Sequence, residues 1–113
     1  MNPEDMRRGF ERALRIAGQG DTLEGLESAL GQGKALLWHG ERSAMVTTRH
    51  GPEMHVWLGC GDMRELRSIA PGVFAHARAL GCTDITIEGR RGWDRALKDL
   101  GFVRDGEELR KRL

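Results

Sequence analysis

Tyrosine is absent from this chain, which also has only two cysteines and three prolines among its 113 residues. Without tyrosine, no phenol is available as a proton donor in any site the chain builds. The two cysteines, Cys60 and Cys82, fall in no metal-binding or redox spacing. Charge of one sign is lacking too: Lys and Arg total 18 against 17 Asp and Glu, a formal net charge of +1. A dedicated nucleic-acid binder normally carries a large basic excess, so nucleic acid is disfavoured as a partner. No run is long and apolar enough to cross a membrane, and the opening MNPEDMRRGF is charged where a secretion signal turns apolar. The expected location is the cytoplasm, or a particle assembled there.

What is present is the composition of a folded domain, 39% hydrophobic and 31% charged, too apolar for disorder. The length suits one core, so residues 1–113 are expected to form a single domain. Asn2-Pro3-Glu4-Asp5 is a helix start, followed by Met6, Phe10, Ala13, Leu14 and Ala17 at helical spacing up to Gly18. Asp21 with Glu24 has the spacing of a second cap, leading to Leu23, Leu26 and Leu30 before Gly31.

The period then changes to that of strands. Lys34–His39, Ser43–Arg49 and Glu53–Leu58 are strand-like runs divided by turn residues. In the third run Met54, Val56 and Leu58 alternate onto one face, with His55 and Trp57 on the other. Apolar groups on both faces predict a central strand covered on both sides.

Gly59-Cys60-Gly61 follows, with Asp62 and Glu65 as another cap. Met63, Leu66, Ala70, Val73, Ala77 and Leu80 make one helical stripe that runs through Pro71. An interior proline kinks or breaks a helix, so two helical pieces sharing one buried face are expected. Thr83–Glu88 reads as a strand with Ile85 and Ile87 inward. Trp93, Ala96, Leu97 and Leu100 stripe a last helix that ends at Gly101. Phe102–Arg104, Asp105-Gly106 and Glu107–Leu113 read as a closing hairpin with Asp105-Gly106 at its turn. Cys60 and Cys82 then lie near opposite ends of a parallel strand pair, roughly 15–20 Å apart, too far for a disulfide.

The fold class is α/β: a mixed central sheet with antiparallel N-terminal strands, one parallel β-α-β crossover and a C-terminal hairpin. That order resembles the GNAT fold of N-acetyltransferases, over roughly residues 21–113, with residues 1–20 forming an extra N-terminal helix. ALGQGKALLWHGERSAMVTTR is similar to that family's second helix and following hairpin, and HVWLGCG to its fourth strand. ITIEGRRGWDRALKDLGF is similar to its fifth strand and last helix. More narrowly, WLGCGDMRELRSIAPGVFAHARALGCTDITIEGRRGW resembles small GNAT-like proteins of phage and prophage genomes.

The resemblance implies acetyl-CoA, but two segments depart from the family pattern. The family carries Gln/Arg-x-x-Gly-x-Gly/Ala before its third helix, where bare backbone N–H groups wrap a diphosphate. Here the segment is GCGDMREL, with Asp62, Met63 and Arg64 where small residues belong. In the family's last helix a Tyr acts as general acid; counting back from Gly101-Phe102, Leu97 stands there, and Arg90 stands at a preceding Asn position.

Candidate site residues are few. Glu53 and His55 lie on the strand where the family often keeps a general base, although Glu at a strand start is usually solvated and His beside Trp usually packs. Cys60 near a helix start has the placement of a nucleophile, against the simpler reading of a buried inert thiol. His39, His50, His55 and His76 show no ligand spacing, so no metal site is expected. The Gly89-Arg90-Arg91-Gly92-Trp93 junction reads as a strand-to-helix turn. In it Trp93 anchors the helix on the sheet and Arg90 and Arg91 face outward to contact a protein.

These features predict a non-catalytic GNAT-like protein of phage type, with no catalytic residue and no cofactor. It would act through protein contacts, with phage structural proteins or copies of itself, in particle assembly or in the virion. The alternative is an N-acetyltransferase using acetyl-CoA on a small amine or a protein amine.

Overall fold

The computed structural model describes all of residues 1–113. Helices α1 (Pro3–Ala17) and α2 (Leu23–Gly31) come first, then strands β1 (Ala35–His39), β2 (Ser43–His50) and β3 (Glu53–Gly61). Helix α3 (Met63–Ala79), strand β4 (Asp84–Glu88), the single turn α4 (Trp93–Ala96), and strands β5 (Val103–Asp105) and β6 (Glu108–Arg112) complete the chain. The six strands form one mixed sheet in the order β1-β2-β3-β4-β6-β5, parallel only between β3 and β4. The expected α/β class, crossover and closing hairpin are all present.

Local chemistry accounts for the helix ends. Asn2 accepts from the Asp5 N–H at 2.8 Å, and Gly18 closes α1 in the left-handed region at φ 62°. For α2 the cap is Thr22, which accepts from Gly25 N–H at 3.0 Å, rather than Asp21. Either side chain serves as a cap, and the one whose backbone turns into the helix takes the role.

Helix α3 is one continuous element through Pro71, not two pieces. Ala70, Val73, Phe74 and Ala77 bury one stripe of it, while Pro71 lies on the exposed side. The last helix is shorter than its stripe suggests: α4 is followed by a 3-10 turn at Lys98–Leu100 before the left-handed Gly101. In the closing hairpin Asp105 pairs with Glu108, so the two-residue turn is Gly106-Glu107 and not Asp105-Gly106. Gly106, at φ 64°, opens it.

Apolar side chains cover both faces of the sheet. Phe10, Leu14 and Leu26 of α1 and α2 pack on Val46 and Leu58 from one side. Val73, Phe74 and Ala77 of α3 pack on Met54, Val56, Ile85 and Leu109 from the other. Leu58 therefore does not share a face with Met54 and Val56. The ladder pairs Val46 with Leu58 and Thr47 with Val56, so Trp57 is an extra residue bulged out of register, and the alternation reverses across it.

Candidate functional site

The bulge at Trp57 shapes the centre of the molecule. Strands β3 and β4 pair from Glu53↔Asp84 to Val56↔Ile87 and no further. Beyond that point β3 runs on to Gly61 and pairs only with β2, while β4 ends at Glu88 and turns away into α4. A bulge bends its strand and increases local twist, so the two parallel strands part here. The β4-facing backbone edge of β3 beyond Val56 is left without a strand partner.

The split opens on both faces of the sheet. On the α3 face it forms an apolar cleft of about 80 Å³, walled by Val56, Gly59, Met63, Leu66, Ile87, Trp93 and Leu97. On the α1 face it forms a broader basin of about 760 Å³, lined by His55, Asp21, Glu107, Glu108, Asp105 and Arg104 among others. Trp57, Glu88 and Arg90 line both, so cleft and basin meet through the parted strands.

His55 stands in the basin wall. Its Nδ1 lies 2.8 Å from Thr86 Oγ1 on the neighbouring strand and 3.7 Å from Glu108 Oε2. Burial lowers its pKa from the usual 6.5 and outweighs the opposing pull of Glu108, with His50 pushing the same way as burial. The ring is thus poised neutral near pH 7. Glu53, its expected companion, is partly exposed but not free. It is bound by the Arg110 guanidinium, which also holds Asp105 at 2.8 Å and Asp84 at 3.3 Å.

Cys60 lies on the α1 face near the end of strand β3, two residues before the Asp62 cap of α3. Its pKa is raised, chiefly by burial. It packs against Gly9 of α1 so closely that a Cβ there would fall 2.6 Å from the sulfur. Cys82 lies in the core on the opposite face, and both cysteines are free.

At the junction the two arginines part company. The Arg90 guanidinium lies 4.9 Å above the Trp93 ring, and both side chains line the apolar cleft. Arg90 therefore does not face outward, and Trp93 is half-buried in a cleft wall rather than sealed against the sheet. Arg91 is exposed as expected. Trp93 leads a helix only one turn long and lines the cleft left by the parting strands.

The start of α3 borders the same cleft through Met63. Asp62 caps it, accepting from Arg64 N–H at 2.9 Å, and its carboxylate pairs with the Arg42 side chain at 3.3 Å. Glu65 does not close the capping box. Its carboxylate instead accepts from the Arg42 N–H at 2.9 Å and from the Ser43 hydroxyl, which together lower its pKa. No three His, Cys, Asp or Glu side chains converge to hold a metal.

Sequence reasoning singled out His55 but not Glu88, Thr86 or Glu108, which surround it. Glu88 carries a weak signal, as the acid ending the Asp-Ile-Thr-Ile alternation just before a glycine. Thr86 and Glu108 are brought to His55 by cross-strand pairing and leave no local trace.

No family model matches the chain, and no curated protein matches it by sequence. Solved structures do match its fold. Ard1 from Thermoplasma volcanium aligns with TM-score 0.63 at 14% identity, over 100% of this chain and 94% of that one. A GNAT family acetyltransferase from Brucella melitensis, in complex with acetyl-CoA, gives 0.61 at 17% identity, over 100% and 84%. PaiA N-acetyltransferase from Thermoplasma acidophilum, in complex with coenzyme A, gives 0.59 at 11% identity, over 97% and 89%. The fold is that of the GNAT acetyltransferases.

Proposed function

We propose, from the premise of an acetyltransferase fold, that this chain transfers an acyl group from a pantetheine thioester such as acetyl-CoA to a primary amine. The observation that carries the reading is the split between β3 and β4, where an apolar cleft with an unpaired strand edge meets a polar basin. Free backbone groups along β3 suit a chain with its own amides, as pantetheine has, and the apolar walls suit its aliphatic links. A bound thioester would supply an activated acyl group at the meeting point of the two chambers.

The chain's own residues then have distinct tasks. The basin carries Asp21, Glu88, Asp105, Glu107 and Glu108 against Arg90 and Arg104, which favours a cationic amine. His55, held neutral by burial, accepts a proton from that amine directly or through one water. Absence of tyrosine does not prevent the chemistry, because a thiol of pKa about 8.5 departs readily as thiolate.

The test is thiol release from acetyl-CoA in the presence of a panel of diamines and lysine peptides. Turnover is expected with cationic acceptors, and His55→Gln is expected to lower kcat by about 100-fold. A wild-type protein that neither transfers acetyl nor binds acetyl-CoA at millimolar concentration would refute the reading.

A second reading, protein contact without catalysis in a phage particle, is supported only by the outer surface of α4. Arg91, Arg95, Lys98 and Arg104 gather there around Val103, which is 68% exposed on the edge strand β5. Co-purification of a partner that is lost on Arg91→Ala/Arg95→Ala, with no transfer activity in the wild type, would favour it.

A further inference from the structure

We infer that this chain recognises its thioester donor by the acylated pantetheine arm alone, leaving the nucleotide diphosphate of coenzyme A unbound. The inference rests on the acyltransferase reading and concerns which part of the donor the protein grips.

A diphosphate beside this cleft would be held by free N–H groups in the first turn of α3, the helix start that borders it. Here one of those N–H groups, that of Arg64, is already taken. The Asp62 carboxylate takes the Arg64 N–H at 2.9 Å, placing a fixed negative charge where the diphosphate would lie. Arg42 is engaged with that carboxylate at 3.3 Å, and the other cation of the turn, Arg64, points its exposed side chain into solvent without an ion-pair partner. Glu65, in the same turn, is kept ionised by its bonds to Ser43 and the Arg42 N–H and adds a second negative charge.

Space is restricted as well. The turn between β1 and β2 is folded down onto the start of α3: Asp62 N–H donates to the Arg42 carbonyl at 3.2 Å, and Arg42 N–H donates back to Glu65. Gly61, at φ 99°, lies so close beneath this turn that a Cβ would fall 2.1 Å from the Arg42 oxygen. On the turn itself, a Cβ on Gly40 would fall 2.3 Å from Glu65 Oε1. Backbone packed this closely narrows the approach to the Asp62 N–H, which is already bonded to the Arg42 carbonyl.

The other half of the donor meets the opposite situation. Past Val56 the edge of β3 has unpaired backbone groups, and Gly59 presents no side chain to obstruct an arm laid along it. The ligand class is therefore an acylated pantetheine. It is either the end of a coenzyme A whose nucleotide stays in solvent, or the phosphopantetheine arm of a carrier protein.

Isothermal titration of the full chain with pantetheine, coenzyme A and adenosine 3′,5′-bisphosphate tests this. Pantetheine and coenzyme A are expected to bind within about threefold of each other, and the bisphosphate to give no heat at millimolar concentration. Coenzyme A binding about tenfold or more tightly than pantetheine, or micromolar binding of the bisphosphate, would overturn the inference. If neither pantetheine nor coenzyme A binds, the acyltransferase reading falls and takes this one with it. Relative kcat/KM then identifies the source of the arm. A value for an acetylated carrier protein well above that for S-acetylpantetheine points to the carrier, and equal values point to coenzyme A.

Discussion

His55 is the residue whose chemistry depends most on its surroundings. Its pKa is lowered by burial, with Glu108, Glu88 and Glu53 pulling the other way and His50 reinforcing the shift. The ring should therefore titrate below 6.5 in an NMR pH series, and a value at or above 6.5 would remove the case for a neutral base. The sign for stability follows from linkage. As pH falls through about 6.5 the unfolded chain takes up the proton first, so stability declines from there until the folded ring is also protonated, and is unaffected above. His55→Gln should flatten that part of the stability profile. Trp93 is a second case, because a half-buried ring loses less on truncation than a sealed one. Trp93→Ala should cost about 1–2 kcal/mol in denaturant melts, below the 3–5 kcal/mol usual for a fully buried Trp.

Two positions within elements carry strain or its relief. Pro71 interrupts the hydrogen-bond ladder of α3 yet the helix continues, because its buried stripe on the sheet outweighs a cost of about 3 kcal/mol. Pro71→Ala should restore the bond and raise the melting temperature, and a fall would mean that the ring itself packs. Gly61 lies at the opposite extreme. With φ at 99° and the Arg42 carbonyl against it, Gly61→Ala should destabilise by about 2 kcal/mol or more, read from the shift in denaturant midpoint. A neutral substitution would show that the β1–β2 turn is not pressed onto the start of α3.

For the whole molecule, the parting of β3 and β4 is the feature from which the rest follows. Deleting Trp57 removes the bulge residue while leaving Val56 and Leu58 on their present faces, since neighbours in a regular strand alternate. The shortened strand should zip further along β4 and close the cleft. The variant is expected to melt cooperatively but to bind pantetheine at least about tenfold more weakly. Unchanged binding would place the ligand elsewhere.

The sequence by itself determined the element order, the parallel crossover and both apolar faces of the sheet. These depend on periodicity and on capping and turn residues, and such signals lie within a few positions of one another. It also marked the two departures from the family pattern, Asp62 at the start of α3 and the absence of tyrosine. Only the tertiary structure decided which capping residue turns into a helix, whether a stripe survives its proline, and where alternation breaks. The Trp57 bulge cannot be read from HVWLGCG, because an extra residue exists only relative to the partner strand that skips it. The same holds for Glu53 on Arg110, 57 residues away, and for Glu65 on Ser43, 22 away. Pairings over such separations are chosen by sheet register and packing, so no local pattern encodes them.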